Sequence, residues 1–140
     1  MWTTVAAVNT EQSKLSEQSV ILEQATGGVP AGECVITIPD VAERMDVVVT
    51  KVMDLLRKRH LLAVRVNNVR YVPELFFAES GELNKFVPGV ISLLADGGYS
   101  SREILEFLYE SDDSLPGRPI DALHGHLARE VMRRAQAMAI

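Results

Sequence analysis

The chain has 140 residues, enough for one compact domain or for a small domain with an appended unit and a tail. Its 47% hydrophobic content excludes wholesale disorder, and no apolar run approaches the ~18 residues of a membrane span. A net charge of −5 argues against indiscriminate nucleic-acid binding, and a lone cysteine, Cys34, excludes an internal disulfide and any zinc spacing with the three histidines.

In chain order, residues 1–32 mix Thr, Ser, Gln and Glu without a sustained period and end in GGVPAG. They read as a flexible N-terminal tail, most simply a solubilising leader, with a transient helix around Glu11 to Gln24; Thr3, Thr4 and Thr10 are phosphoacceptors in principle, as most exposed threonines are. MWTTVAAVNTEQ has no charged segment before a long apolar core, so the expected compartment is the cytoplasm.

Residues 36–73, ITIPDVAERMDVVVTKVMDLLRKRHLLAVRVNNVRYVP, read as two short helices followed by a hairpin. The first helix carries Val41 and Ala42, a turn falls at Asp46-Val47, and the second opens near Val48 with Val52, Leu55 and Leu56 inward at helical spacing. A small residue at Ala42 and a branched one at Val52 suit two closely crossing helices. Asn67-Asn68 forms a credible two-residue type I′ turn, because Asn tolerates positive φ at both central positions. That turn pairs Val66 with Val69, Arg65 with Arg70 and Val64 with Tyr71. Leu62, Val64, Val66, Val69 and Tyr71 then share the face expected to be buried. Arg65 and Arg70 stand opposite each other on the outer face, where like charges cost on the order of 0.2–1 kcal/mol. A shared phosphate would relieve them; two solvated arginines blunting an edge are the bland alternative.

Beyond the hairpin, Pro73 opens a short helix through Phe77 that Gly81 breaks. A helix led by Pro88 carries Val90, Ile91, Leu93 and Leu94 and stops at Gly97-Gly98. Ser100 and Glu103 make a capping box for Ile104, Leu105, Phe107 and Leu108. Ser111 to Gly117 is a loop, and Pro119 starts a final helix with Ile120, Leu123, Leu127, Val131 and Ala135 on one face. The sum is a mainly α protein: a winged helix-turn-helix with a two-stranded wing at 33–77, then a C-terminal helical domain at 78–140.

The charge distribution follows this division. Residues 1–32 are net −2, 33–74 net +1 and 75–140 net −4, while 47–73 hold six basic residues against the single acid Asp54. The only strongly basic stretch is the one that such an architecture sets on DNA.

The helices and wing resemble the excisionase and mercury-resistance-regulator class of winged helices. Together with VPGVISLLADGGYSSREILEFLY and RPIDALHGHLAREVMRRAQAMA, they resemble a narrower family. These are the actinobacterial winged-helix DNA-binding proteins known from mycobacteria as Ser/Thr protein kinase substrates. The likeness runs from about Thr37 to the C-terminus. The C-terminal half is also similar in pattern to the toxin-binding region of some antitoxins. The family resemblance implies double-stranded DNA as partner, met by the second helix around Thr50, Lys51 and Arg57 and by the wing arginines Arg65 and Arg70. It also implies a kinase acting on the tail, although the tail itself does not visibly match. Two positions depart from the usual pattern. Asp46 stands where Gly normally adopts the left-handed conformation, and Val48 replaces a Ser-type N-cap. Val49 and Met53 would face outward, and Asp54 would present a carboxylate to the groove.

The candidate DNA contacts are therefore Thr50, Lys51, Arg57, Lys58, Arg59, Arg65, Asn67, Asn68 and Arg70. Arg57, Lys58 and Arg59 also suit a helix C-terminus without any ligand, and Thr50 and Lys51 are equally ordinary surface. His60 reads as structural or phosphate-facing. His124 and His126, two apart, share no helical face, and Asp112-Asp113 reads as a solvated loop pair, so no metal is expected. No nucleophile-base pair or phosphate-cradling glycine loop suggests an enzyme or a cofactor. The expected function is a DNA-binding regulator or nucleoid-associated protein. Its rival is a protein-interaction module that uses the acidic C-terminal helices, with little or no DNA binding.

Overall fold

The computed structural model describes residues 19–140. Its elements are β1 (Ser19–Ile21), β2 (Cys34–Thr37), α1 (Ile38–Met45), α2 (Val49–Arg57), β3 (Val64–Val66), β4 (Val69–Pro73), a 3-10 turn (Glu74–Phe76), α3 (Val87–Asp96), α4 (Ser101–Tyr109), α5 (Pro119–Ala122) and α6 (Ala128–Met138). The candidate phosphoacceptors Thr3, Thr4 and Thr10 lie outside the described residues.

The four strands form one antiparallel sheet in the order β1-β2-β4-β3. The hairpin has the expected register: Val64 faces Tyr71, Arg65 faces Arg70 and Val66 faces Val69. Asn67 and Asn68 both take positive φ, 53° and 68°, as a type I′ turn demands. Strand neighbours point to opposite faces, so the complete burial of both Val35 and Ile36 means that β2 is covered on each side. The expected inner face of the wing is buried only at its base. Val64 is inside and Val66 and Tyr71 are half-buried, but Val69 near the tip is 44% exposed because the hairpin outruns the core.

The residues expected to form a tail through position 32 do not end as one. Ser19–Ile21 pair with Cys34–Ile36, so strand replaces the expected helix where it reached these positions. Leu22 and Val29 are buried in the common core. Thr26 and Val29 close a tight turn through Gly27 and Gly28. Glycine is required at position 28: φ is +104°, and a Cβ there would lie 2.6 Å from the Arg102 carbonyl oxygen of α4.

In α1, the Thr37 hydroxyl accepts from the Asp40 amide at 3.2 Å, and Asp46 ends the helix in the left-handed region at φ 59°, ψ 46°. The capping box of α4 is formed: the Ser100 amide donates to Glu103 Oε1 at 2.8 Å, and the Glu103 amide to Ser100 Oγ at 3.1 Å. Gly97 and Gly98 terminate α3, and Gly97 lets α6 approach so closely that a Cβ would sit 2.8 Å from the Ala139 Cα. Two expected helices differ. Pro73 closes β4, and only a 3-10 turn follows it. The final helix is broken into α5 and α6, the segment between them including Gly125.

One hydrophobic cluster runs from Leu22 through Val41, Val52, Val72 and Phe76 to Ile91, Leu105, Ile120 and Val131. Polar ties reinforce it. Arg118 donates to Glu33 at 2.7 Å and to Asp121 at 2.8 Å while standing over the Tyr109 ring. His124 Nε2 lies 2.5 Å from the Leu75 carbonyl, which places the proton on Nε2 and leaves Nδ1 to accept from Asn84 Nδ2 at 3.3 Å. Among the described residues, no helix is long and apolar enough to cross a membrane.

Candidate nucleic-acid interface

α2 owes its orientation to α1 and the wing. Val52 is its fully buried anchor, Leu55 and Leu56 are half-buried against the core, and the opposite face is left to solvent. Thr50, Lys51, Arg57 and Lys58 all lie on that exposed face, with Asp54 at its middle. Val48 occupies the N-cap with extended φ and ψ and no side-chain hydrogen bond, as expected from its lack of a polar group. Arg59 terminates the helix at φ 62°, with the amides of Arg59 and His60 returning to the carbonyls of Leu56 and Leu55. This is the arrangement in which glycine is usual, so an exposed arginine is held there against its backbone preference.

The wing stands beside this helix. Arg65 is exposed, as are Asn67 and Asn68 at the tip, while Arg70 is half-buried. Arg70 Nη2 donates to the Met53 thioether at 3.1 Å, which ties the wing to α2. The paired arginines are therefore not equivalent: Arg70 is braced, and Arg65 is exposed without such a contact among the described residues. All nine candidate DNA contacts thus belong to α2, its C-terminal turn and the wing.

The ion pairing distinguishes among them. Asp54 holds both Arg57 and Lys58, the latter at 3.1 Å. The Lys58 hydrogen bond, together with the charges of Lys58, Arg57 and Lys51, keeps its carboxyl below the ordinary aspartate range. Asp54 is consequently ionised at neutral pH and acts as a counter-ion within the basic surface. Its i, i+3 and i, i+4 spacing to Arg57 and Lys58 was the available sequence signal. Among the described residues, Lys51, Arg59, Arg65 and Arg70 have no carboxylate within ion-pair distance.

The C-terminal half engages most of its cations: Arg102 pairs with Glu106, Arg118 with Glu33 and Asp121, Arg133 with Glu130, and Arg134 with Glu130 and Asp112, while Arg129 and Lys85 have no carboxylate within ion-pair distance among the described residues. Asp112, expected to be solvated, accepts from the Ser114 hydroxyl and amide, which together lower its pKa. Much of the acidic excess on this side is thus already engaged internally. Behind the interface, Arg44 bridges Asp40 at 3.2 Å and Glu74 at 3.0 Å, and Ser19 Oγ donates to Glu74 at 2.9 Å. This buried network fixes α1 to β1 and to the base of the wing. Burial raises the Asp40 carboxyl against the opposing pull of Arg44. Burial and neighbouring Glu74 raise the Cys34 thiol, disfavouring the reactive thiolate.

Comparison with known proteins follows the same division. Residues 24–77 match the family model described as "DNA-binding protein Rv2175c, wHTH domain", and residues 85–139 match the "Rv2175c C-terminal domain of unknown function". The match thus begins upstream of Thr37, at the glycine turn. "DNA-binding protein Rv2175c" of Mycobacterium tuberculosis (strain ATCC 25618 / H37Rv) is 43% identical over 132 residues, covering 81% of this chain and 90% of that protein. The NMR structure of Rv2175c superposes with a TM-score of 0.70 at 44% identity, covering 77% of this chain and 82% of that one.

Proposed function

The chain belongs to the Rv2175c family, and on that premise we propose that it binds double-stranded DNA, with α2 in the major groove and the wing on the phosphate backbone. The observation that carries this reading is the grouping of Lys51, Arg59, Arg65 and Arg70, each without a carboxylate partner among the described residues, along one helix, its C-terminal turn and the adjoining hairpin. A cation kept without a carboxylate in a net acidic protein has an external anion as its natural partner. The DNA-binding name and winged helix-turn-helix domain of the relatives support the same reading.

Each cation serves a phosphate, and Arg57 and Lys58 contribute in part, because Asp54 competes for them. Thr50 offers a hydroxyl to base edges and Asn67-Asn68 brings the wing tip to the backbone. Affinity then comes mainly from phosphates, which position the protein without specifying sequence. This suits a regulator or nucleoid-associated protein acting on the cytoplasmic chromosome through binding rather than catalysis. Thr3, Thr4 and Thr10 are the N-terminal threonines where a Ser/Thr kinase would add negative charge and weaken DNA association.

A gel-shift titration on random duplex across salt concentrations tests the proposal. Four neutralised phosphates give a log–log slope of about −3.6, which any share from Arg57 and Lys58 steepens. A slope near zero, or no complex at low salt, would leave the C-terminal protein-interaction reading as the better one.

A further inference from the structure

We propose that Val48 and Val49 recognise thymine, giving α2 a preference for major-groove edges that carry a 5-methyl group. The inference rests on the DNA-binding reading and adds to it a chemical feature of the target. Val48 is 68% and Val49 44% exposed, consecutive residues at the start of the helix. The first turn of a recognition helix is the part that reaches base edges. Valine has neither donor nor acceptor, so it is blind to the groove's hydrogen-bonding pattern. The one apolar feature the groove presents is the thymine methyl.

Two further observations favour that occupant over a protein partner. The valine pair opens a helix whose exposed face is mainly basic: Lys51 follows in the same turn, Arg57 and Lys58 lie about two turns on around Asp54, and Arg70 is joined to Met53, while Asp46 is the acid that precedes the pair. This charge suits a polyanion, and an apolar protein surface would have to desolvate it. In addition, Val48 takes the N-cap position, where Ser, Thr or Asp would bond the free amides of the first turn. Folding alone therefore favours a polar residue at this site, and exposure disfavours an apolar one. Contact with a methyl group on the ligand accounts for both departures.

The test is fluorescence anisotropy with a short alternating A·T duplex and the same duplex carrying deoxyuridine at every thymine. The two differ in the groove only by the methyl. Alternating G·C duplexes with and without C5-methylcytosine offer that methyl on another base. The full chain should bind the methylated member of each pair about fourfold more tightly for each methyl covered, the scale of one buried methyl group. The Val48→Ser/Val49→Ser variant should lose this preference and keep the same salt slope. The first of these substitutions restores the missing cap, and a thermal melt verifies folding. Equal binding of methylated and unmethylated duplexes by the parent would overturn the inference while leaving DNA binding intact. A preference that persists in the folded variant would also overturn it, by placing the sensing elsewhere. Failure to bind any duplex at low salt would remove the DNA-binding reading and this inference with it.

Discussion

Replacing Asp54 with asparagine isolates the counter-ion at the middle of the exposed face of α2. The carboxylate holds Arg57 and Lys58, and all three side chains reach solvent. Asparagine keeps the shape and removes the charge, so the surface gains one net positive charge available to phosphate. One more neutralised phosphate steepens the salt dependence by about 0.9, from about −3.6 to about −4.5. Scaled from 1 M salt, where the electrostatic gain vanishes, that exponent gives about fifteenfold tighter binding at 50 mM and about fivefold at 150 mM. Thermal stability should change little, because ion pairs between exposed partners contribute little to folding. Anisotropy titrations of parent and Asp54→Asn at three or more salt concentrations supply both the ratio and the slope. A gain independent of salt would refute the electrostatic argument. Weaker binding by the variant would refute it differently, by indicating that Asp54 accepts a hydrogen bond from a base, such as the cytosine amino group.

Other expectations concern the wing, the N-terminal boundary and the glycine turn. Arg65→Ala and Arg70→Ala should each lower affinity on all sequences and flatten the salt slope by about 0.9, while the double variant loses less than the sum. The thermal melt of Arg65→Ala should be unchanged or slightly raised by relief of the cross-strand repulsion, whereas Arg70→Ala also loses the Met53 contact and should melt slightly lower; two singles that bind like the parent would make the wing a bland surface. Deleting residues 1–18 should preserve the cooperative thermal transition. Deleting 1–32 should lower the transition sharply, because burying Leu22 and Val29 contributes about 1.5–3 kcal/mol each against a typical total of about 5–15; an unchanged melt in the longer deletion would show that the strand is dispensable. Gly28→Ala should cost about 2–4 kcal/mol from left-handed strain and the clash with α4, measured by urea unfolding.

What the sequence made legible was where side-chain chemistry dictates the backbone locally. Asn67-Asn68 set the hairpin register, Ser100 with Glu103 set the start of α4, and the periodicity around Val41 and Val52 set the helix pair. The features that escaped depend on distant partners. Ser19–Ile21 is too short to show alternation, and its strand character comes from Cys34–Ile36. GGVPAG has the composition of a linker, yet Gly27 and Gly28 are there to permit contact with Val64 and α4; composition does not separate a loose glycine from a tightly packed one. The apolar spacing of Ile120, Leu123, Leu127 and Val131 runs on through the break between α5 and α6, so periodicity concealed an interruption near Gly125. On the candidate interface, the cations are visible in the composition, whereas Asp54's hold on two of them and the bracing of Arg70 by Met53 needed coordinates.

The single core that joins the sheet to the C-terminal helices bears on how a genetic screen of this protein would look. Leu105 and Val131 lie in the same buried cluster as Val52, the anchor of α2. Proteins of this size ordinarily unfold as one cooperative unit, so a cavity at either position lowers the occupancy of the folded state that presents α2. Variants selected for loss of DNA association should therefore fall into two classes. Those at Lys51, Arg65 or Arg70 leave protein abundance normal, while those at Leu105, Val131 or Gly97 deplete the protein and are rescued by lower temperature. The second class should be the more numerous, and its map would trace the buried interior rather than the surface proposed to meet the nucleic acid.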